Sequence, residues 1–74
     1  MSRLSTVKRA RLEAGLTQSE LCKIVQTSPR KMVQIERGIY DNVTKSLMIK
    51  ISKTLGVSIQ ELFFSDDEEE NKQN

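Results

Sequence analysis

Punctuation is what most constrains this chain. Hydroxyl side chains that can open a helix stand at Thr17, Ser28, Thr44 and Ser58, and glycines that can close one stand at Gly15, Gly38 and Gly56. A Ser or Thr at a helix entrance accepts a hydrogen bond from a backbone N–H that the helix leaves unpaired. A glycine just past the exit takes a left-handed turn without a Cβ penalty. Two of the starts are reinforced by a glutamate three residues on, Thr17 with Glu20 and Ser58 with Glu61, the spacing of a capping box. Pro29 follows Ser28 where a helix loses nothing from a missing N–H. A chain divided in this way can build only short helices. The apolar spacing within each interval agrees. Leu4, Val7, Ala10, Leu12 and Ala14 suit a first helix, and Leu21, Ile24 and Val25 the inner stripe of a second. Met32 and Ile35 mark a third, from Pro29 to about Arg37. Leu47, Met48, Ile51 and Leu55 mark a fourth, and Ile59, Leu62 and Phe63 a short fifth. Residues 39–43 read as a loop. No strand-like alternation of useful length and no internal repeat interrupts this all-α pattern.

Short helices need a core between them, and 74 residues supply only a small one. A domain of this size buries about 60% of the surface its unfolded chain exposes. Apolar residues are 36% of the chain, so the core must be tightly packed or completed by a partner subunit. No apolar run approaches the ~18 residues that would suggest a membrane helix. The N-terminus lacks an apolar stretch of signal-peptide length, so a cytoplasmic location is expected. One cysteine cannot make an internal disulfide, and the absence of histidine excludes a His-based triad and a Cys/His zinc site. There is no Gly-rich phosphate loop and no nucleophile spaced with a positioned base. An enzyme is therefore not expected, nor a metal, a cofactor or a small-molecule ligand.

Charge is divided unevenly along the chain. Residues 1–64 carry 11 Lys/Arg against 5 Asp/Glu, a net of +6. Residues 65–74 set Lys72 against the five acids of Asp66–Glu70, a net of −4. A basic body points to a polyanionic partner. The tail has no apolar residue and is expected to be disordered, leaving one domain over residues 1–64. Tethered beside a basic body, its acids are expected to compete with phosphates at low salt.

The segment from Gln18 to Arg37 has the layout of a helix-turn-helix. Leu21, Cys22, Val25, Met32 and Ile35 are of buried type, and a turn falls at Gln26 to Ser28. The small Cys22 lets two helices approach closely, and Met32 and Ile35 plug the second into the core. Ser28, Pro29, Arg30, Lys31, Val33 and Gln34 are left on its outside. A helix about 10–12 Å across fits the ~12 Å major groove of B-DNA. Arg30 and Gln34 lie four apart on one face. Arg pairs bidentately with guanine, and Gln with adenine. Ser28 is either a helix cap or a base contact, and Val33 either meets a thymine methyl or is a tolerated surface valine. Lys31 and Arg37 suit phosphates.

The residues Gly15-Leu16-Thr17-Gln18, Glu20-Leu21 and Ile35-Glu36-Arg37-Gly38 resemble the Cro/C1-type (XRE) helix-turn-helix family of phage repressors and bacterial regulators. So do Leu55-Gly56-Val57-Ser58 and Glu61-Leu62-Phe63. The resemblance spans residues 4–64. It implies a five-helix, lambda-repressor-like domain that regulates transcription, is expected to repress, and binds double-stranded DNA in a bacterial or phage-infected cell, at the nucleoid. It implies that the Gln18 amide holds a phosphate at the start of the second helix, beside Thr17. It also implies that Arg11 and Glu36 form an internal ion pair tying the first helix to the third. Three departures stand out. Gln26 occupies a turn position where the family usually has glycine, so it should carry a positive φ at a cost of about 1 kcal/mol. Cys22 replaces the usual alanine. The loop at 39–43 is about one residue longer than the common pattern and lacks its proline.

A recognition helix reads only a few base pairs, so a homodimer on a two-fold operator is expected. Ile49, Ile59 and Phe64 exceed what one small core needs and are candidates for the self-contact, with Ile39, Tyr40 and Val43 adding to the surplus. The competing class is a protein-interaction or antitoxin-type module on the same fold. An apolar outer face on the third helix would favour it.

Overall fold

The computed structural model describes residues 5–64. Leu4 and the acidic tail at 65–74 lie outside them. Five helices follow one another: α1 (Thr6–Glu13), α2 (Gln18–Val25), α3 (Pro29–Glu36), α4 (Lys45–Leu55) and α5 (Ile59–Phe63). No strand occurs among the described residues.

Each helix opens on a hydroxyl residue with extended backbone, namely Ser5, Thr17, Ser28, Thr44 and Ser58. Each hydroxyl oxygen accepts from the backbone N–H three residues on, at Lys8, Glu20, Lys31, Leu47 and Glu61, over 3.0 to 3.1 Å. At Thr17 the box is reciprocal, because the Glu20 carboxylate accepts from the Thr17 N–H at 2.8 Å. Each such cap contributes about 1 kcal/mol, which matters for helices of 5 to 11 residues that cannot stand alone. The exits are equally local. Gly15, Gly38 and Gly56 take positive φ, and so does Gln26, with φ 63° and ψ 54° as the C-cap of α2.

The core gathers Val7 and Ala10 from α1, Leu21, Cys22 and Val25 from α2, Met32 and Ile35 from α3, Ile51 from α4, and Leu62 and Phe63 from α5. α2 packs on α3 and α4, α1 on α3 and α5, and α4 on α5. Phe63 is closed over by Tyr40, whose ring meets it edge-on at 5.1 Å. Tyr40, Val43 and Ile59 pack against the core.

Two expectations about inner stripes are corrected. Leu12 and Ala14 do not face the core, and Leu12 is 49% exposed. The buried line of α1 is Thr6, Val7, Ala10 and Arg11, so the position next to Leu12 belongs to a charged residue with a partner inside. Ile24 is also exposed, at 53%. The buried line of α2 is Leu21, Cys22 and Val25, and Ile24 lies about a quarter turn off its centre.

Candidate nucleic-acid interface

α2, the turn and α3 form the motif the sequence suggested. The turn begins at Gln26, whose N–H donates to the Cys22 carbonyl in the left-handed conformation. Thr27 N–H then reaches the same carbonyl at 3.0 Å. Cys22 sits under the crossing, 4% exposed, with its Sγ 3.8 Å from the Ser28 carbonyl oxygen. A larger side chain there would wedge the helices apart. Burial pushes the Cys22 thiol up, with the charge of Glu36 adding to the effect and that of Arg11 opposing it. It therefore lacks the lowered pKa of a reactive thiol.

α3 separates sharply into two faces. Met32, Ile35 and Glu36 are buried. Arg30, Val33, Gln34 and Arg37 are exposed, and they follow the i, i+3, i+4, i+7 spacing of one stripe. Pro29 and Ser28 lead into the stripe at the helix entrance. The Ser28 hydroxyl serves as the cap of α3, accepting from Lys31 N–H at 3.1 Å. Lys31 stands at the side of the stripe, half-buried, and its Nζ donates to the Asn42 carbonyl at 3.0 Å. This bond fastens the loop at 39–43 to α3. Sequence spacing alone gave no sign of it, because it depends on the path of the loop.

Beside this face α1, α2 and α3 are tied together. Arg11 Nε donates to Glu36 Oε2 at 2.7 Å and Nη2 to Glu36 Oε1 at 3.3 Å, with both side chains less than one-tenth exposed. Arg11 Nη1 donates to the Leu16 carbonyl at 2.9 Å. The ion pair expected from the family resemblance is thus present. A further member was not anticipated: Gln18 Nε2 donates to Glu36 Oε1 at 3.2 Å. Thr17 is exposed at the entrance to α2, and Gln18 is its half-buried first residue.

The residues expected at a self-contact differ in burial. Ile49 is half-exposed on α4, Ile59 packs against the core, and Phe64 is 44% exposed beyond α5. Ile39 is 43% exposed. No group of three or more His, Cys, Asp or Glu able to hold a metal occurs among the described residues. None of their helices is long and apolar enough to cross a membrane.

Comparison with known proteins agrees with this geometry. A family profile described as helix-turn-helix matches residues 7–62. An uncharacterized HTH-type transcriptional regulator of Methanocaldococcus jannaschii is 40% identical over 55 residues, which cover 74% of this chain and 82% of the relative. An uncharacterized HTH-type transcriptional regulator of Archaeoglobus fulgidus is 36% identical over 63 residues, covering 85% of this chain and 89% of the relative. Another from the same organism is 33% identical over 63 residues, covering 85% and 87%. These relatives are archaeal, so they lend no support to the bacterial or phage source expected from the resemblance. No solved structure matches with comparable significance. With five capped helices, a left-handed turn at Gln26 and a profile match over residues 7–62, the chain belongs to the Cro/C1-type (XRE) helix-turn-helix family.

Proposed function

We propose that this protein is a sequence-specific regulator of transcription that binds double-stranded DNA with α3 in the major groove, acting as a repressor. One observation carries the reading. The outer face of α3 presents Arg30, Val33, Gln34 and Arg37 in a single stripe, with its polar groups turned away from the core. A face built to dock another protein would be more apolar. The regulator names borne by the relatives support the same conclusion.

In this reading Arg30 and Gln34 read base edges, with Val33 against a thymine methyl and Ser28 at the groove wall. Thr17, Gln18, Lys31 and Arg37 meet phosphates and set the register. Selection of bound sites from random duplex DNA, followed by titration of variants, tests the assignment. Arg30→Ala and Gln34→Ala should each cost about 1–3 kcal/mol and relax preference at particular base pairs. Lys31→Ala should weaken all duplexes alike. If Arg30→Ala weakened selected and random duplexes equally, the base-reading role would be lost.

The operator-bound species is a homodimer, with half-sites about 10–10.5 bp apart or a multiple of that. Exposed Ile39 and Phe64 support this. Each adjoins in sequence a member of the Tyr40–Phe63 ring contact. Ile49 stands between Lys45 and Lys53 on α4, so a two-fold contact centred on it would bring like charges together. Sedimentation on a selected duplex should give two chains per site. One chain at saturation overturns the dimer.

A further inference from the structure

The junction beneath the DNA-facing surface does more than hold helices together. Gln18 is the first residue of α2, half-buried, and its amide nitrogen donates to Glu36 Oε1 at 3.2 Å. The orientation of that amide follows from chemistry. An ionised carboxylate only accepts hydrogen bonds, so the amide must turn a nitrogen toward it and its carbonyl away. Glu36 is held in place by two hydrogen bonds from Arg11. The Gln18 amide carries two N–H groups, and Glu36 takes one of them. A phosphate, which also only accepts, needs an N–H and is repelled by a carbonyl oxygen. A free glutamine could present either group.

We propose that Glu36 is a positioning residue for DNA binding: its carboxylate holds the Gln18 amide in the one orientation that leaves an N–H for a DNA phosphate. Arg11, Glu36 and Gln18 then form a chain from the interior of α1 through α3 to the phosphate. The proposal rests on the reading above that Gln18 meets a phosphate. It has a consequence that runs against simple electrostatics. Glu36 is an acid close to a surface that binds a polyanion. Counting charge alone, its neutralisation should tighten DNA binding. If Glu36 orients Gln18, neutralisation should weaken binding, and only while Gln18 is present.

The experiment is a double-mutant cycle on affinity for a duplex selected by the wild-type protein, with thermal unfolding recorded for every variant. Glu36→Gln should weaken binding on the order of tenfold in the Gln18 background, the scale of one hydrogen bond to a charged group. In the Gln18→Leu background the same change should leave affinity unchanged or raise it. Equal changes in both backgrounds overturn the proposal. A second measurement covers the case in which Glu36→Gln does not fold. In the NMR spectrum of the free wild-type protein, one Gln18 side-chain amide proton should lie downfield of those of exposed glutamines, and on adding duplex the other should move. Both protons at the exposed-glutamine positions overturn the proposal. If the wild-type protein selects no duplex at all, the DNA reading falls and the proposal with it. Equal effects in a protein that does bind overturn the proposal alone.

Discussion

The two ends of this domain are held together by different physics. α1, α2 and α3 meet at a polar junction of Arg11, Glu36 and Gln18, with Leu16 supplying a carbonyl. α4 and α5 meet through Ile51, Leu62 and Phe63, with Tyr40 packed edge-on at the rim. Burial of apolar area is non-directional and supplies stability wherever volume is filled. Hydrogen bonds to a rigid carboxylate are directional and specify angles. A buried ion pair adds little net stability compared with apolar residues of the same volume, yet breaking it is costly. The junction lies beside the face that must be presented in register, and the packing of Ile51, Leu62 and Phe63 carries no comparable directional bond. Apolar packing, to which α1, α2 and α3 also contribute Val7, Leu21, Met32 and Ile35, stabilises the domain, and the polar junction aims it.

The strongest way to break that comparison is at the apolar end. Phe63→Ala removes a side chain that is 1% exposed, and should cost about 3–5 kcal/mol. That is on the order of the whole stability of a domain this small, so the cooperative thermal transition should disappear. A variant that melts within a few degrees of wild type would show that the apolar end is not the main source of stability.

At the polar junction, Glu36→Leu leaves Arg11 buried without its counter-charge and should cost about 3 kcal/mol or more. Pairing it with Arg11→Met should recover most of that loss in denaturant unfolding, because an apolar pair can replace a buried ion pair. DNA affinity should stay reduced in the stable double variant. Full recovery of both stability and affinity would mean that the junction aims nothing.

Gln26 offers a smaller test in the turn between the two DNA-facing helices. Its φ of 63° carries a Cβ in the left-handed region. Its side chain gains only an exposed contact, from Lys50 Nζ to Oε1 at 3.4 Å. Gln26→Gly should raise stability by about 0.5–1 kcal/mol in urea unfolding, strain relief outweighing the added freedom of the unfolded chain. A loss of stability would show that the Lys50 contact matters more than the strain.

The smallest expected effect is one of pH. Burial raises the Cys22 thiol in the folded state. As pH rises past the unfolded thiol's value, the unfolded chain loses its proton first, so stability falls with pH on the alkaline side. The stabilisation is complete below the unfolded pKa and is lost as pH climbs through the folded one. Cys22→Ala should flatten this alkaline slope and leave the neutral region parallel to wild type. An unchanged slope would assign the decline to other groups.

Helix starts and stops were legible because they are local. Thr17, Ser28, Thr44 and Ser58 cap helices through bonds that span three residues, so residue type at a fixed offset is enough to find them. The positive φ at Gln26 was legible too, from the family's usual glycine at that place. Inner faces were legible only where periodicity agreed with packing. Leu12 and Ile24 were misplaced because hydrophobicity alone cannot tell a core position from one a quarter turn or more away when a neighbour such as Arg11 buries its charge with a partner. The stripe of Arg30, Val33, Gln34 and Arg37 was mostly legible, since Met32 and Ile35 fix which way α3 faces.

The sequence by itself therefore determined five helices and the caps of four of them, the turn between α2 and α3, and the polar character of the outer face of α3. All of these depend on residues within a few positions of one another. Only the tertiary structure decided that Gln18 reaches Glu36, that Lys31 fastens the loop at Asn42, and that Tyr40 closes over Phe63. Each of those contacts joins residues many positions apart, and its existence depends on the angles at which separate helices pack. Local propensity carries no information about those angles. They are set where the core fills and where the Arg11–Glu36 pair closes.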